Sequence, residues 1–434
     1  MSSTSSIQFL QEAAAEWCDR ELQVQSIAEA EEAVLEVSRR LAEAMMAAAV
    51  KKLEHRATYE GPSLTCECGG TARFITYRKR WIRTMCGDVQ VSRAYYHCKE
   101  CHTGISPWDN REGLGERTWS PGVKSIVGEL CARLTYSEVS QLLERVLGLG
   151  VEESSQQDIV LGIGGRMREV EGGLISGYFD EDSQIVSELE ARRLYVCIDA
   201  AKAHTDGAWH DIKTGVVFGG EPSIDKSGRI VDRMADVRYV AAQESSELFG
   251  RRIYLRALLS GIENAKEVVV LGDGAEWIWN IVGMHFSGCI EILDYYHACE
   301  HIWSLAGTLY GEGSENGKRW AETHCLKLKE SGPGSLLRAL KRRKGRTAAE
   351  KEALRLELGY FQDHKSRMDY PKYLSMGLMI GSGPVESACK VVVGQRLKQA
   401  GMRWTREGAD AILALRTAVL SGQSDRIQQL AKAA

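Results

Sequence analysis

The sequence lacks any apolar run of about 18 residues, the length that a membrane-spanning helix requires. Its first residues, MSSTSS followed by a helical pattern, lack the basic and apolar regions of a secretory signal, so we expect a cytoplasmic protein with no membrane partner. Internal repeats and low-complexity tracts are also missing. With 44% hydrophobic and 26% charged residues among 434, the composition is that of a globular protein with two to four folded units.

The chain has no overall excess of basic residues, since its net charge is −4. Residues 1–50 hold nine acids and only three bases, however, so the rest of the chain is slightly basic and nucleic-acid binding is not excluded. Twelve cysteines in a cytoplasmic chain favour metal ligands or core thiols over disulfides. No Gly-x-Ser-x-Gly stands between a strand and a helix, which argues against a serine nucleophile; Gly381-Ser382-Gly383 is better explained as a helix cap.

Apolar spacing divides the chain into helical and mixed segments. Residues 7–53 predict a helical arm, either solvated or paired with another protomer, and 61–105 predict short strands around turns. Residues 118–172 are again helical, with a cap at Thr135 or Ser137, and fit a helix-turn-helix or any small bundle. From 193 onward the pattern is α/β: strands at 194–198, 211–220, 231–243, 268–271 and 289–293, helices at 245–262 and 275–286, a helical region at 295–375, and one or two helices at 384–420.

Two acids follow apolar strands. Asp199 comes directly after Leu194–Ile198, and Asp273 comes just after Val268–Leu271, between two glycines that allow a substrate backbone to approach closely. Strand ends meet at one edge of a sheet, where α/β folds place ligands and metals. Carboxylates suit Mg²⁺, and two ions about 3.5–4 Å apart can activate a nucleophile and stabilise a leaving oxygen in phosphodiester chemistry.

A third acid, Glu386, lies in the first turn of a helix that Ser382 or Gly383 caps and Pro384 starts. Helix-dipole complementation would be the ordinary explanation for an acid there. Between Glu386 and Glu407, however, there is no acid, and the bases and one aromatic residue are Lys390, Arg396, Lys398, Arg403, Trp404 and Arg406. A metal-binding carboxylate followed by a cationic helix face predicts a phosphate-backbone substrate.

Four cysteines stand in two pairs, Cys66-x-Cys68 and Cys98-x-x-Cys101. Four thiolates on two knuckles suit tetrahedral zinc, and the glycines after Cys68 permit a tight turn. His97 and His102 are alternative ligands. Two further basic tracts predict DNA contacts: Arg78, Lys79, Arg80 and Arg83 beside two aromatics, and Lys341, Arg342, Arg343 and Lys344 in the helical region.

The combination of Asp199, Gly272-Asp273-Gly274, Asp294-Tyr-Tyr-His297 and the segment Gly381–Leu415 closely resembles bacterial insertion-sequence transposases of the ISKra family, relatives of the Mutator-like group. The resemblance runs from about Cys66 onward. It is densest in Gly381–Leu415, which includes Val393-Gly394-Gln395-Arg396-Leu397-Lys398 and Gly401-Met402-Arg403-Trp404. The first acid departs from the family's Ala-Asp-Gly, because Asp199 stands in Ile198-Asp199-Ala200-Ala201.

The resemblance implies a catalytic triad of Asp199, Asp273 and Glu386 on an RNase H-like core that binds two Mg²⁺ ions, with Mn²⁺ able to substitute. It also implies a Cys-or-Asp, two residues, His motif, matched by Asp294 and His297, which places His297 near the scissile phosphate. A small zinc ribbon beside a DNA-binding segment is expected from the same resemblance. The expected partners are the double-stranded DNA of transposon ends and target, and further copies of the chain in a synaptic dimer or larger oligomer.

We therefore expect a multidomain α/β protein in which a helical insertion interrupts the RNase H-like core. The predicted domains are a helical arm at 1–57, a zinc ribbon at 58–115, a helical DNA-binding domain at 116–185, the first part of the core at 186–294, the insertion at 295–378 and the final acid helix with the C-terminus at 379–434. The predicted function is a bacterial, nucleoid-associated transposase. The alternatives are a nuclease of the same fold and a domesticated, zinc-containing DNA-binding regulator without catalysis.

Overall fold

The computed structural model describes residues 3–114, 118–187, 191–226 and 228–432 of the chain. It is a mixed α/β protein with two sheets and many helices. The chain forms two compact units: the first comprises 1–126, 141–151 and 431–434, and the second 127–140 and 152–430. Among the described helices, none is both long enough and apolar enough to cross a membrane.

The first unit contains an antiparallel four-stranded sheet in the order β1-β2-β3-β4. Its strands are β1 (Ser63–Thr65), β2 (Thr71–Thr84), β3 (Gly87–Cys98) and β4 (Gly104–Ile105). Alternation along β3 buries Val89 and Val91, as a strand with one covered face requires. The predicted helical arm is present as α1 (Ser3–Glu21) and α2 (Ile27–Leu53), and α3 (Pro107–Arg111) follows the sheet.

Three helices follow: α4 (Pro121–Cys131), α5 (Tyr136–Leu147) and α6 (Glu153–Asp180). The predicted cap of α5 is confirmed, because Thr135 Oγ1 accepts the Glu138 N–H at 3.2 Å and the Glu138 carboxylate accepts the Thr135 N–H at 2.8 Å. This reciprocal pair is a capping box, which satisfies two otherwise free donors at the helix start.

The second unit is built on a five-stranded sheet in the order β7-β6-β5-β8-β9. The strands are β5 (Arg193–Thr205), β6 (Ala208–Ile224), β7 (Ile230–Ala242), β8 (Glu267–Gly272) and β9 (Ile290–Leu293). β5, β6 and β7 pair antiparallel, whereas β8 and β9 run parallel to β5. All five strands were predicted, but β5 and β6 are longer than their apolar runs, because each continues past the buried segment as an antiparallel ribbon.

Helices connect the strands and then extend the second unit. They are α7 (Ser246–Leu259), α8 (Glu276–His285), α9 (Tyr295–Tyr310), α10 (Glu315–Ser331), α11 (Gly334–Arg342), α12 (Ala348–Asp363) and α13 (Tyr370–Ser375). The last five occupy the region that the sequence predicts as mostly helical.

The C-terminal region is more broken than predicted. It consists of α14 (Gly383–Ala388), a π-helical segment (Cys389–Gly394), α15 (Gln395–Leu397), α16 (Arg406–Leu420) and α17 (Ser424–Ala431). The wide π turn leaves backbone carbonyls for other donors, and Arg416 from α16 donates through Nε to the Val391 carbonyl at 2.8 Å.

Arg396 does not belong to a DNA-binding surface, so this part of the prediction is wrong. Its side chain is fully buried at 0% exposure, and its Nε donates to the Cys131 carbonyl at 2.8 Å. The guanidinium lies 5.2 Å from the Tyr136 ring centroid and 4.9 Å from that of Trp404. Burial lowers its pKa, but a guanidinium stays charged in proteins, and the rings and the carbonyl oxygen stabilise it.

Replacing Arg396 with Ala should therefore destabilise the second unit by about 3 kcal/mol, because it removes a packed side chain and leaves a buried carbonyl without its donor. The measurement is the midpoint of urea unfolding. Lys398→Ala, at an exposed position two residues away, is the matched control and should unfold like the wild type. Equal midpoints for the two variants would contradict the structural role of Arg396.

Candidate functional site

Asp199 lies within β5 and not at its end, contrary to the prediction. Its register partner on β6 is Thr214, and this antiparallel pairing continues to Thr205. The parallel pairing of β5 with β8 stops at Cys197, however, two residues before the acid. Asp199 therefore lies just beyond the carboxyl end of the parallel part of the sheet, where its Oδ1 accepts the Ala200 N–H at 2.6 Å.

Asp273 follows the last residue of β8 and is fixed by its own turn. Its Oδ1 accepts the Ala275 N–H at 2.9 Å, and its carbonyl accepts the Tyr360 hydroxyl at 3.1 Å. Gly274 has φ +103°, and a Cβ there would lie 2.8 Å from the Tyr360 hydroxyl oxygen. Only glycine fits this position, because it permits both the positive φ and the close approach of Tyr360.

Glu386 lies in the first turn of α14 and is exposed. Burial is the main cause of a raised pKa at Asp199, and the negative charges of Asp273 and Glu386 raise it further. Those charges act on Asp199 because the strand end, the β8 turn and α14 bring the three carboxylates to the same edge of the sheet. The structure therefore brings together the three acids that the sequence predicts.

Ser382 precedes α14, as predicted, but its hydroxyl does not cap the helix. The N–H groups of Val385 and Glu386 bond instead to the Ser382 carbonyl. The hydroxyl lies 2.5 Å from Asp294 Oδ2 and 2.8 Å from Glu386 Oε1. Sequence reasoning assigned Ser382 a cap role and missed these two carboxylates.

Asp294 caps α9, accepting the N–H groups of Tyr296 and His297. The His297 imidazole has another neighbour, with its Nδ1 3.3 Å from a Glu300 carboxylate oxygen and its ring centroid 5.1 Å from that of His301. The geometry thus gives His297 a local partner on its own helix, and the expected contact with a scissile phosphate stays a prediction.

Cys389 is a member of the acid site that the sequence did not reveal. Its thiol donates to Asp199 Oδ2 at 3.5 Å, and burial raises its pKa to about 12. The signal was present in the spacing, because Cys389 follows Glu386 by three residues and so shares its helix face. A neutral thiol leaves the charge of the site to the carboxylates.

The three carboxylates offer hard oxygen ligands, which suit Mg²⁺ or Mn²⁺. Their oxygen atoms are not all close enough to one another to surround one ion. Within the described ranges, the four cysteines are the one group of three or more His, Cys, Asp or Glu residues whose ligand atoms are that close. A site for two ions can hold its carboxylates farther apart, because one central carboxylate is shared by both ions and each outer carboxylate binds one ion. The acid set supplies ligand types that suit this second arrangement.

The four cysteines of the first unit converge as predicted. All four sulfur atoms lie within 4.8 Å of one another, with Cys66 Sγ 3.5 Å from Cys101 Sγ and Cys68 Sγ 3.7 Å from Cys98 Sγ. Tetrahedral zinc with Zn–S bonds of about 2.3 Å requires sulfurs about 3.8 Å apart. The cluster therefore fits zinc without His97 or His102, which are not members of the group.

Two tight turns build this cluster. In the first, Gly69 has φ +83° and donates its N–H to the Cys66 carbonyl at 2.9 Å. In the second, the Cys98 N–H bonds to the Thr103 carbonyl at 2.9 Å, and hydrogen bonds from Thr103 lower the pKa of Cys101 to about 6. A thiol with a lowered pKa deprotonates readily, as a metal ligand must. The pKa of Cys66 and that of Cys68 are raised instead, so the support for metal binding comes from the geometry of the four sulfurs.

The basic residues predicted to bind DNA are not all available. In the first unit, Arg78, Lys79 and Arg83 are exposed on β2. Arg80 is paired with Asp109 at 2.6 Å, and its side chain is only 11% exposed. Its guanidinium is therefore committed to an internal ion pair, which corrects the prediction for this residue.

In the second unit, seven of the predicted bases are exposed: Lys341, Arg342, Lys344, Lys390, Lys398, Arg403 and Arg406. Arg343 is half-buried and donates to the Tyr310 hydroxyl at 2.8 Å. Arg406 is exposed, although one guanidinium nitrogen donates to the Gln243 carbonyl at 2.9 Å. Trp404 is half-buried and donates through Nε1 to the Leu397 carbonyl at 3.3 Å, so its ring contributes to the local structure.

Comparison with known proteins identifies the family. The model of UPF0236, described as an uncharacterised protein family, matches residues 23–433, and the chain belongs to this family. A UPF0236 protein in the vanSb 3′ region of Streptococcus gallolyticus is 24% identical over 360 residues, which cover 79% of this chain and 73% of that protein. The family match includes both the cysteine cluster and the three carboxylates.

If the cysteine cluster binds zinc, Cys98→Ser should abolish stoichiometric zinc binding, because three thiolates and a hydroxyl hold the ion poorly. The measurement is the zinc content per chain, determined by mass spectrometry of the purified protein. Cys86→Ser is the matched control, since Cys86 is an exposed cysteine on the same hairpin and outside the cluster. A Cys98→Ser variant that retains one zinc per chain would refute the site.

The raised pKa of Asp199 predicts a pH-dependent cost to stability. Between its ordinary value of 3.8 and its raised value, the folded chain keeps a proton that the unfolded chain releases, so stability falls as pH rises through the raised pKa. Asp199→Asn removes that charge. Without Mg²⁺ or Mn²⁺, this variant should melt above the wild type at pH 8, and the difference should narrow at pH 4, close to the ordinary pKa of 3.8.

The control for this melting experiment is Asp211→Asn, an exposed acid on β6. It should change the melting temperature little at either pH. A gap between Asp199→Asn and the wild type that stays constant with pH would show that packing, not charge, causes it.

Proposed function

We propose that this protein is a DNA transposase that cleaves the ends of a mobile element and joins them to target DNA. The observation that carries the proposal is the position of Asp199, Asp273 and Glu386 at one sheet edge, where the charges of Asp273 and Glu386 act on Asp199. The resemblance to ISKra-type transposases rests on the same residues. Phosphodiester cleavage is the chemistry for which such a set of carboxylates is suited.

The topology of the second unit supports an RNase H-like interpretation. Three antiparallel strands, β7-β6-β5, are followed by the parallel strands β8 and β9. Of the first two acids, Asp199 lies on β5 and Asp273 directly follows its neighbour β8. Helices α9 to α13 then separate β9 from the segment that carries Glu386. This order fits a core into which a helical region is inserted before the last acid.

Each carboxylate has a defined part in the proposed chemistry. Asp199 would be shared between two Mg²⁺ ions, and Asp273 and Glu386 would each hold one of them. The ions would supply the charge that activates the attacking oxygen, first of water and then of the freed 3′-hydroxyl, and that stabilises the leaving oxygen. The protein's own contribution is to fix three hard ligands on a strand, a turn and a helix, so that little reorganisation is needed.

Exposed bases support a DNA substrate. Lys390, Lys398 and Arg403 follow Glu386 along the chain, and each can neutralise backbone phosphate. In the first unit, the cysteine cluster fits a zinc ribbon whose hairpin displays Arg78 and Lys79. Joining two transposon ends requires two active sites, so we propose a homodimer or a larger oligomer as the working assembly.

The test uses a plasmid on which the coding sequence keeps its native flanking DNA, and sequencing of excision and insertion junctions in bacterial cells. Asp199→Asn should reduce junction formation by at least about 100-fold, because it removes the shared ligand charge. Asp211→Asn is again the control and should leave activity unchanged. Equal junction frequencies for wild type and Asp199→Asn would refute the proposal, and cut DNA without joined products would favour a nuclease.

A further inference from the structure

Ser382 occupies a position between two carboxylates that come from different parts of the second unit. Its hydroxyl oxygen lies 2.5 Å from Asp294 at the start of α9 and 2.8 Å from Glu386 in α14. The residue is only 5% exposed, so its hydroxyl is largely shielded from water. This buried hydroxyl therefore lies within hydrogen-bond distance of both acids.

Asp294 is the fixed member of this group. It is 2% exposed, and its N–H donates to the carbonyl of Gly272, the residue before Asp273, at 2.9 Å. Its carboxylate accepts the N–H of Tyr296 at 2.9 Å and that of His297 at 3.3 Å. Strand and helix backbone therefore both hold Asp294, whose Oδ2 lies within hydrogen-bond distance of the Ser382 hydroxyl.

The third residue of this group is Glu386. It is exposed, and among the described residues Ser382 is the one hydrogen-bond donor to its carboxylate. A hydroxyl carries a single proton, so Ser382 donates to one carboxylate at a time. Asp294 also accepts two backbone N–H groups and so does not depend on this proton, whereas Glu386 has no other donor among the described residues, and the hydroxyl can turn from Asp294 to Glu386.

We infer that Ser382, buried between Asp294 and Glu386, is a positioning residue that fixes the Glu386 carboxylate for metal binding when its hydroxyl donates to it. This inference rests on the proposed function, because it assigns Glu386 a metal. A glutamate loses rotamer freedom when it binds an ion, which opposes binding, and a bond that holds the carboxylate beforehand reduces that loss. Groups that orient a metal ligand in this way typically contribute about 10- to 100-fold to metal affinity.

The experiment measures Mn²⁺ binding to the purified full-length chain, by electron paramagnetic resonance of the free ion. Ser382→Ala should weaken the Asp199-dependent binding by about 10-fold, and Ser382→Thr, which retains the hydroxyl, should restore most of it. Ser387→Ala is the matched control, since Ser387 is an exposed serine on the same helix. Asp199→Asn identifies the part of the binding that belongs to the acid site.

The outcomes separate this inference from the proposed function. If wild type and Asp199→Asn bind Mn²⁺ equally, the acid site holds no metal, and both ideas are overturned. If binding depends on Asp199 but Ser382→Ala matches Ser387→Ala, the positioning role alone is overturned. A purely structural role would lower the melting temperature of Ser382→Ala without weakening Mn²⁺ binding, and this result would also overturn the inference.

Discussion

The parallel pairing of β5 with β8 is the constraint on which the acid site depends. The last parallel pair joins Cys197 on β5 to Leu271 on β8, so the pairing ends at the same level on both strands. The two acids that follow, Asp199 and Asp273, are therefore neighbours across the edge, even though they are far apart in sequence. The antiparallel ribbon of β6 carries β5 onward and keeps Asp199 on a rigid strand. A carboxylate on such a strand has little freedom to turn away from its partners.

Much of the second sheet could be predicted, because buried strands such as β8 appear in the sequence as short apolar runs with clear ends. The extensions of β5 and β6 could not, since an exposed antiparallel ribbon has polar residues on both faces and no distinct pattern. The break between α15 and α16 was left open by the prediction of one or two helices, and its position was not predicted. Lys398–Thr405 contains no proline, and its departure from helix depends on contacts such as the Trp404 N–H with the His204 carbonyl at 3.3 Å.

Charge alone did not separate binding residues from internal ones. Arg80 and Arg396 stand in tracts as basic as their neighbours, yet one pairs with Asp109 and the other lies between aromatic rings. Partners for both come from distant segments, and one sequence does not show which segments meet. The same limit explains the missed carboxylates beside Ser382, whereas the acid triad and the cysteine cluster were found because their residue types admit few other uses.

The π-helical segment after Glu386 makes contacts that can form only after a later part of the chain has been synthesised. Its Val391 carbonyl is bound by Arg416, which belongs to one of the last helices of the chain. In a protein made from its N-terminus onward, the strands that carry Asp199 and Asp273 exist long before Arg416 does. A chain still on the ribosome, or one cut short before α16, therefore has two carboxylates in place and an unanchored third. The site is completed only after α16 has been synthesised.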